Sequence, residues 1–134
     1  MDPPPAAPAS TPPAVSGVLL CRDLMFQVKI TSTARELGFA VKTAGDLAAA
    51  EALIREHRPK AVFVDLAAGP VASPESLVRL QDVAGPQTPF LAFGSHVDAD
   101  ALDAAKAAGC REVMPRSKFT RILPDLIRDH LGPA

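Results

Sequence analysis

The 134-residue chain contains no tryptophan and no tyrosine, and its six phenylalanines are scattered. That argues against an aromatic platform for stacking bases or sugars. Cysteine is scarce: Cys21 and Cys110 form neither a metal-ligand spacing nor a disulfide framework, so a reducing cytoplasm is the expected setting. Charge of one sign is not in excess, with a net charge of −1, which gives no general pull toward nucleic acid or an anionic membrane. No apolar run approaches the length of a membrane span. The N-terminus lacks the basic-then-apolar order of a secretory signal. The glycine patterns G-x-G-x-x-G and G-x-x-x-x-G-K-[ST] are missing, and so is the G-x-S-x-G elbow of a serine hydrolase. The three histidines, His57, His96 and His130, lie far apart in the sequence, which leaves no obvious acid–base or metal-binding cluster.

What is present is an ordinary globular balance of 48% apolar and 22% charged residues, enough for one domain with a modest core. Residues 1–14, MDPPPAAPASTPPA, hold six of the fourteen prolines and nothing apolar beyond alanine and the first methionine. Such a stretch buries too little surface to offset its ordering entropy, and it reads as a disordered, polyproline-leaning tail. Residues 15–131 read as the folded domain.

Within it, strand and helix signals alternate. Val18 to Cys21 is a short apolar run, followed by a helix over about Met25 to Leu37 that Gly38 stops. Phe39 to Thr43 reads as a weaker strand. Asp46 is placed to cap a helix through about His57, ended by Pro59. Ala61 to Val64 is the third and most apolar strand. Ser73-Pro74-Glu75 is an N-cap with proline at the first helical position, opening a helix to about Ala84. Phe90 to Phe93 is the fourth strand, Asp98 caps a helix over Ala99 to Ala108, and Glu112 to Met114 is a short fifth strand. A last helix runs through about Leu131, with Pro124 expected near its first turn, where a missing N–H costs little. Continuous apolar strands and short loops predict an α/β fold with a parallel sheet covered on both faces.

In such sheets, sites lie outside the carboxyl ends of the strands. Asp65 follows Ala61-Val62-Phe63-Val64 directly, at that end of the third strand. His96 follows the fourth strand at the same mouth. Cys21 ends the first strand, where it either faces the site or serves as a small buried hydrophobe.

The ordered set of local sequences resembles a response-regulator receiver domain. "FVDLA" resembles the strand that carries the phospho-accepting aspartate, which places Asp65 at that position. "RELGF", Arg35 to Phe39, is similar to the end of the family's first helix. "TPFLAFGS" is similar to its fourth strand, and "AAKAAGCREVMPRSKF" to its approach to the fifth. The resemblance implies a doubly wound, flavodoxin-like five-stranded sheet in the order 2-1-3-4-5. It also implies a signalling role in a two-component phosphorelay and no enzymatic turnover of a separate substrate.

Family chemistry needs two acidic residues after the first strand, which hold Mg²⁺ together with the phospho-accepting aspartate. It also needs a hydroxyl at the end of the fourth strand and a lysine at the end of the fifth. These groups neutralise the phosphoryl oxygens. In this chain the acidic pair falls on Cys21 and Arg22, with Asp23 one position on, or on Arg22 and Asp23 after a one-residue shift. The hydroxyl position falls on Gly94, with Ser95 next to it, and the lysine position on Arg116. Asp65 alone is retained. The leading expectation is a stand-alone pseudo-receiver that works by protein–protein interaction, without conventional Mg²⁺-dependent phosphorylation and without a cofactor. Arg22 is expected to take the metal's space and hold Asp65, with Arg116 beside it. The alternative is a functional single-domain response regulator phosphorylated on Asp65, with Mg²⁺ held by Asp23 and Asp65 and Ser95 as the hydroxyl. A third reading, a flavodoxin-like or cobalamin-type binding domain, lacks the D-x-H-x-x-G element of the latter.

The resemblance implies a signalling partner, a histidine kinase or a downstream effector, and no nucleic acid or membrane. The family's usual partner surface, formed by the fourth helix, fifth strand and fifth helix, would also carry a homodimer. Here it includes the cations Arg111, Lys118, Arg121 and Arg128.

Overall fold

The computed structural model describes residues 13–133. The disordered tail expected over residues 1–14 thus lies almost wholly outside the described residues. Five strands alternate with five helices: β1 (Val15–Leu20), α1 (Leu24–Glu36), β2 (Ala40–Ala44), α2 (Leu47–His57), β3 (Ala61–Asp65), α3 (Pro74–Ala84), β4 (Phe90–Gly94), α4 (Ala99–Ala107), β5 (Glu112–Pro115) and α5 (Arg116–Leu131). All strand pairs are parallel, in the order β2-β1-β3-β4-β5. This is the parallel sheet that the continuous apolar runs predict, in the doubly wound order that the resemblance implies.

The strands are buried on both faces because helices cover both. Every residue of β3 and β4 is buried. One core layer joins Val18, Leu20, Val62, Val64 and Ala92 to Ile54, Leu77 and Leu80 of α2 and α3. The other joins Leu19, Phe63, Leu91 and Phe93 to Ile30 of α1 and to Phe119, Leu123 and Ile127 of α5. Alternate residues along a strand point to opposite faces, so one apolar run feeds both layers.

Local chemistry fixes the helix ends. Asp23, Asp46, Ser73 and Asp98 each accept a bond at their helix N-terminus, from Phe26, Ala49, Ser76 and Ala101 backbone N–H groups. Gly38, at φ 91°, lets its N–H reach the Arg35 carbonyl and that of Phe39 the Ala34 carbonyl at 2.8 Å, which closes α1.

Helix α2 ends at His57 as expected, with Arg58 in the left-handed region as its C-cap ahead of Pro59. Other features differ from the sequence expectation. A 3-10 turn, Gly69–Ala72, precedes α3 and has no apolar periodicity to announce it. Helix α5 begins at Arg116, so Pro124 sits inside it rather than in the first turn. The short strand β5 stops at Pro115, which itself serves as the N-cap, and α5 gains more than a turn at that end.

Candidate functional site

The carboxyl ends of β1, β3 and β4 converge on Asp65. Its neighbour in register is Phe93 of β4, and Leu20 of β1 lies opposite Val64. The Asp65 carboxylate is almost fully buried, with a side-chain exposure of 2%. A charge there needs partners, and the structure supplies three. The backbone N–H of Ala67 donates to Oδ1 at 2.9 Å. Arg116 Nη2 donates to the same oxygen at 3.1 Å. The Cys21 thiol donates to Oδ2 at 3.4 Å. Both carboxylate oxygens are therefore engaged from within the chain.

Arg116 reaches Asp65 because Pro115 ends β5 and turns the first residue of α5 back over the sheet edge. Its guanidinium carbon stands 5.1 Å from the centroid of the Phe26 ring. Phe26 packs edge-on to Phe93 with centroids 5.1 Å apart, and Phe93 stacks on Phe119 at 4.0 Å. The ring stack gives Arg116 a floor and shields one side of the ion pair from water. Phe26 was not singled out by sequence reading, because a lone aromatic on an amphipathic helix carries no signal of what lies above it.

Cys21 sits one residue beyond β1, and its N–H still pairs with the Ala44 carbonyl at 3.1 Å. Both sequence readings of Cys21 hold together: it is 1% exposed, part of the core, and it faces the site. Burial pushes its thiol up to about 11, and the adjacent Asp65 carboxylate adds to the rise. The thiol is protonated at neutral pH and serves as a hydrogen-bond donor.

The expected Arg22–Asp65 pair is absent, and this is a correction. Arg22 is exposed and lies across the glycines of neighbouring loops: a Cβ on Gly45 would meet its Cγ at 3.5 Å, and one on Gly69 its Nη1 at 3.5 Å. With Gly45, Asp46, Leu47, Pro70 and Val71 it lines a recess of about 370 Å³. The reason is the bend after β1, which spends its one inward position on Cys21 and turns the next side chain out. Asp23 is also turned away, since its carboxylate caps α1 at 3.1 Å from the Phe26 nitrogen. Ser95 Oγ accepts from Val97 N–H at 3.3 Å and bonds its own loop instead of Asp65. A Cβ on Gly94 would meet Leu66 Cβ at 3.3 Å, so the fourth strand ends tightly against the loop after Asp65. Among the described residues no three His, Cys, Asp or Glu side chains converge as metal ligands would.

Of the remaining sequence candidates, His96 is exposed at the mouth. His130 Nε2 lies 3.2 Å from Glu112 Oε2 and ties α5 to β5 instead of merely capping its helix. Cys110 is a free thiol in the opposite core layer from Cys21. Arg111, Lys118, Arg121 and Arg128 are all exposed. Lys118, Arg121, Asp125 and Arg128 recur at three- and four-residue spacing on α5, and Asp125 takes Arg128 at 3.3 Å. The surface is therefore a basic stripe with one acid inside it.

No protein-family model and no curated protein matches the sequence. Solved structures do match its fold. A response regulator receiver protein from Burkholderia phymatum is 23% identical, with a TM-score of 0.71 over 90% of this chain and 97% of that one. The receiver domain of a sensor histidine kinase from Pseudomonas aeruginosa, solved with a magnesium ion in its active-site cleft, is 16% identical, with a TM-score of 0.72 over 90% and 99%. The Saccharomyces cerevisiae receiver domain of Ssk1, solved with the histidine phosphotransfer protein Ypd1, is 15% identical, with a TM-score of 0.73 over 89% and 90%. The chain has the response-regulator receiver fold.

Proposed function

We propose that this receiver-fold chain is a pseudo-receiver, a signalling module that works by protein–protein contact without conventional Mg²⁺-dependent phosphorylation. One observation carries the reading: every oxygen of Asp65 is already held, by Arg116, Ala67 N–H and the Cys21 thiol. A magnesium ion needs several oxygen ligands in octahedral order. The residues present do not fit that need. A protonated thiol occupies one acidic position, and Asp23 is committed to its helix. The Arg116 cation already balances the carboxylate that would bind the metal.

In this reading Arg116 and Asp65 form a fixed link between β3 and the start of α5. A partner that reads α5 meets a surface whose position does not depend on phosphoryl transfer. The exposed cations Arg111, Lys118, Arg121 and Arg128 suit an acidic face on a signalling protein, such as a histidine kinase or a downstream effector. The co-crystallised Ypd1 of the Ssk1 neighbour supports a signalling protein as the class of partner.

The functional-receiver reading has one observation in its favour. The Arg116 side chain is 41% exposed, free enough to leave Asp65 and to balance phosphoryl oxygens in place of a metal. Intact mass after exposure to a small-molecule phosphodonor with Mg²⁺ separates the two. The expected result is an unchanged mass. A phosphoryl adduct that is lost in Asp65→Asn overturns the pseudo-receiver reading.

A further inference from the structure

Strand β2 is the edge of the sheet, with β1 on one side and no strand on the other among the described residues. Beside that edge, a recess of about 270 Å³ lies between β2, the last turns of α1 and the entry to β1. Val15, Thr31, Phe39 and Val41 line it, and all four are half-buried. Phe39 and Val41 also pack on the core layer of Phe63 and Phe119, which fixes the floor. Arg35 and Lys42, both exposed, complete the lining. Among the described residues neither forms an ion pair.

Pro13, the first described residue, is itself part of the wall. The chain therefore comes to the recess directly from the segment before it, Pro8-Ala9-Ser10-Thr11-Pro12, which carries no charge and no long side chain. Two properties of that segment suit the recess. Its prolines favour the extended polyproline form, which docks on aromatic-floored grooves at low entropic cost. Proline also has a carbonyl but no N–H, and the polyproline form makes no internal hydrogen bonds, so the segment is rich in free acceptors. The recess is rich in donors: Arg35 and Lys42 can only donate, and an edge strand presents unpaired backbone N–H groups. The lengths agree as well. Five residues in the polyproline form span about 16 Å, and the five residues of β2 about 17 Å.

We propose that residues 8–12 dock in this recess of their own molecule and cover the free edge of the sheet. Because Pro13 joins them to the wall, docking costs little translational freedom. The local concentration is of roughly millimolar order, so a contact too weak to hold a free peptide is populated here. The cover has a consequence for association. A proline segment cannot extend the hydrogen-bond ladder, so it caps β2 instead of offering a new edge to another chain. The docking stands independently of what happens at Asp65.

Paramagnetic relaxation in the full chain, read by NMR, tests it. Ala7→Cys carries a nitroxide label, while the native Cys21 and Cys110, 1% and 5% exposed, stay unlabelled in the folded chain. The amide signals of Thr31, Arg35, Val41 and Lys42 should broaden most. The same label in a chain that also carries Pro8→Gly and Pro12→Gly keeps the tether length but loses the extended preference. There the broadening should fall at least threefold. Neither glycine replaces a residue of the folded domain, so the two spectra compare like with like. An isotope-enriched, unlabelled chain mixed with the labelled one should keep sharp signals. Equal broadening in the proline and glycine chains means that tethering alone brings the label near, and it overturns the proposal. Broadening centred on another face of the domain overturns it. Broadening of the unlabelled copy assigns the recess to a second molecule and overturns it too.

Discussion

Arg22 follows β1 and Arg116 follows β5, and of the two only Arg116 reaches the Asp65 carboxylate, at 3.1 Å, while Arg22 lies over Gly45 and Gly69. Removing Arg116 leaves a buried Asp65 with one N–H and one thiol for company. Arg116→Ala is expected to cost about 1–3 kcal/mol, less than for a fully buried pair because the guanidinium is partly exposed. Arg22→Ala is expected to stay within about 0.5 kcal/mol, since no ion pair is lost. Urea titrations of both variants check the pair. A cycle with Asp65→Asn should show coupling above roughly 0.5 kcal/mol for Arg116 and none for Arg22. An Arg22 loss as large as that of Arg116 would restore the pairing that the bend after β1 rules out.

At the scale of elements, the helix ends are the places where one residue decides. Arg58 closes α2 at φ 47°, a left-handed conformation that strains any residue with a Cβ. Arg58→Gly is expected to raise stability by about 0.5–1 kcal/mol, and a lower melting temperature would contradict it. Pro124 stands inside α5 without an N–H for the carbonyl one turn before it. Pro124→Ala should restore that bond and stabilise the helix by about 0.5–2 kcal/mol, read as a rise in melting temperature. Ser73 accepts from Ser76 N–H at 3.2 Å, and Ser73→Ala should cost about 1 kcal/mol.

For the whole molecule, the two buried thiols act as reporters, one in each core layer. Burial raises both Cys21 and Cys110 to about 11, from 9.0. Between those values the unfolded chain has released protons that the folded chain still holds, so stability must fall as pH rises from about 9 to 11. Below about 9 both states are protonated and the thiols add no pH dependence. The fall should approach about 1–2 kcal/mol per thiol and shrink in Cys110→Ala. At neutral pH both thiols should react with a thiol reagent only through unfolding, at matching rates if the two layers open as one unit. Fast labelling of Cys21 alone would mean that the site opens locally.

Much of this was legible in the sequence because it rests on near neighbours in the chain. Continuous apolar runs fixed buried parallel strands, and Asp46, Ser73 and Asp98 marked where three helices begin, whereas the Asp23 cap of α1 is a finding of the structure. A carboxylate at the end of the most apolar strand located the candidate site. Residues far apart in the chain were decided only by the tertiary structure. The Asp65–Arg116 pair spans 51 positions and the Cys21–Asp65 contact 44. Which arginine closes that pair depends on the bend after β1 and on Pro115 turning α5 inward. Neither leaves a periodic mark, because both are set by how a backbone leaves the sheet.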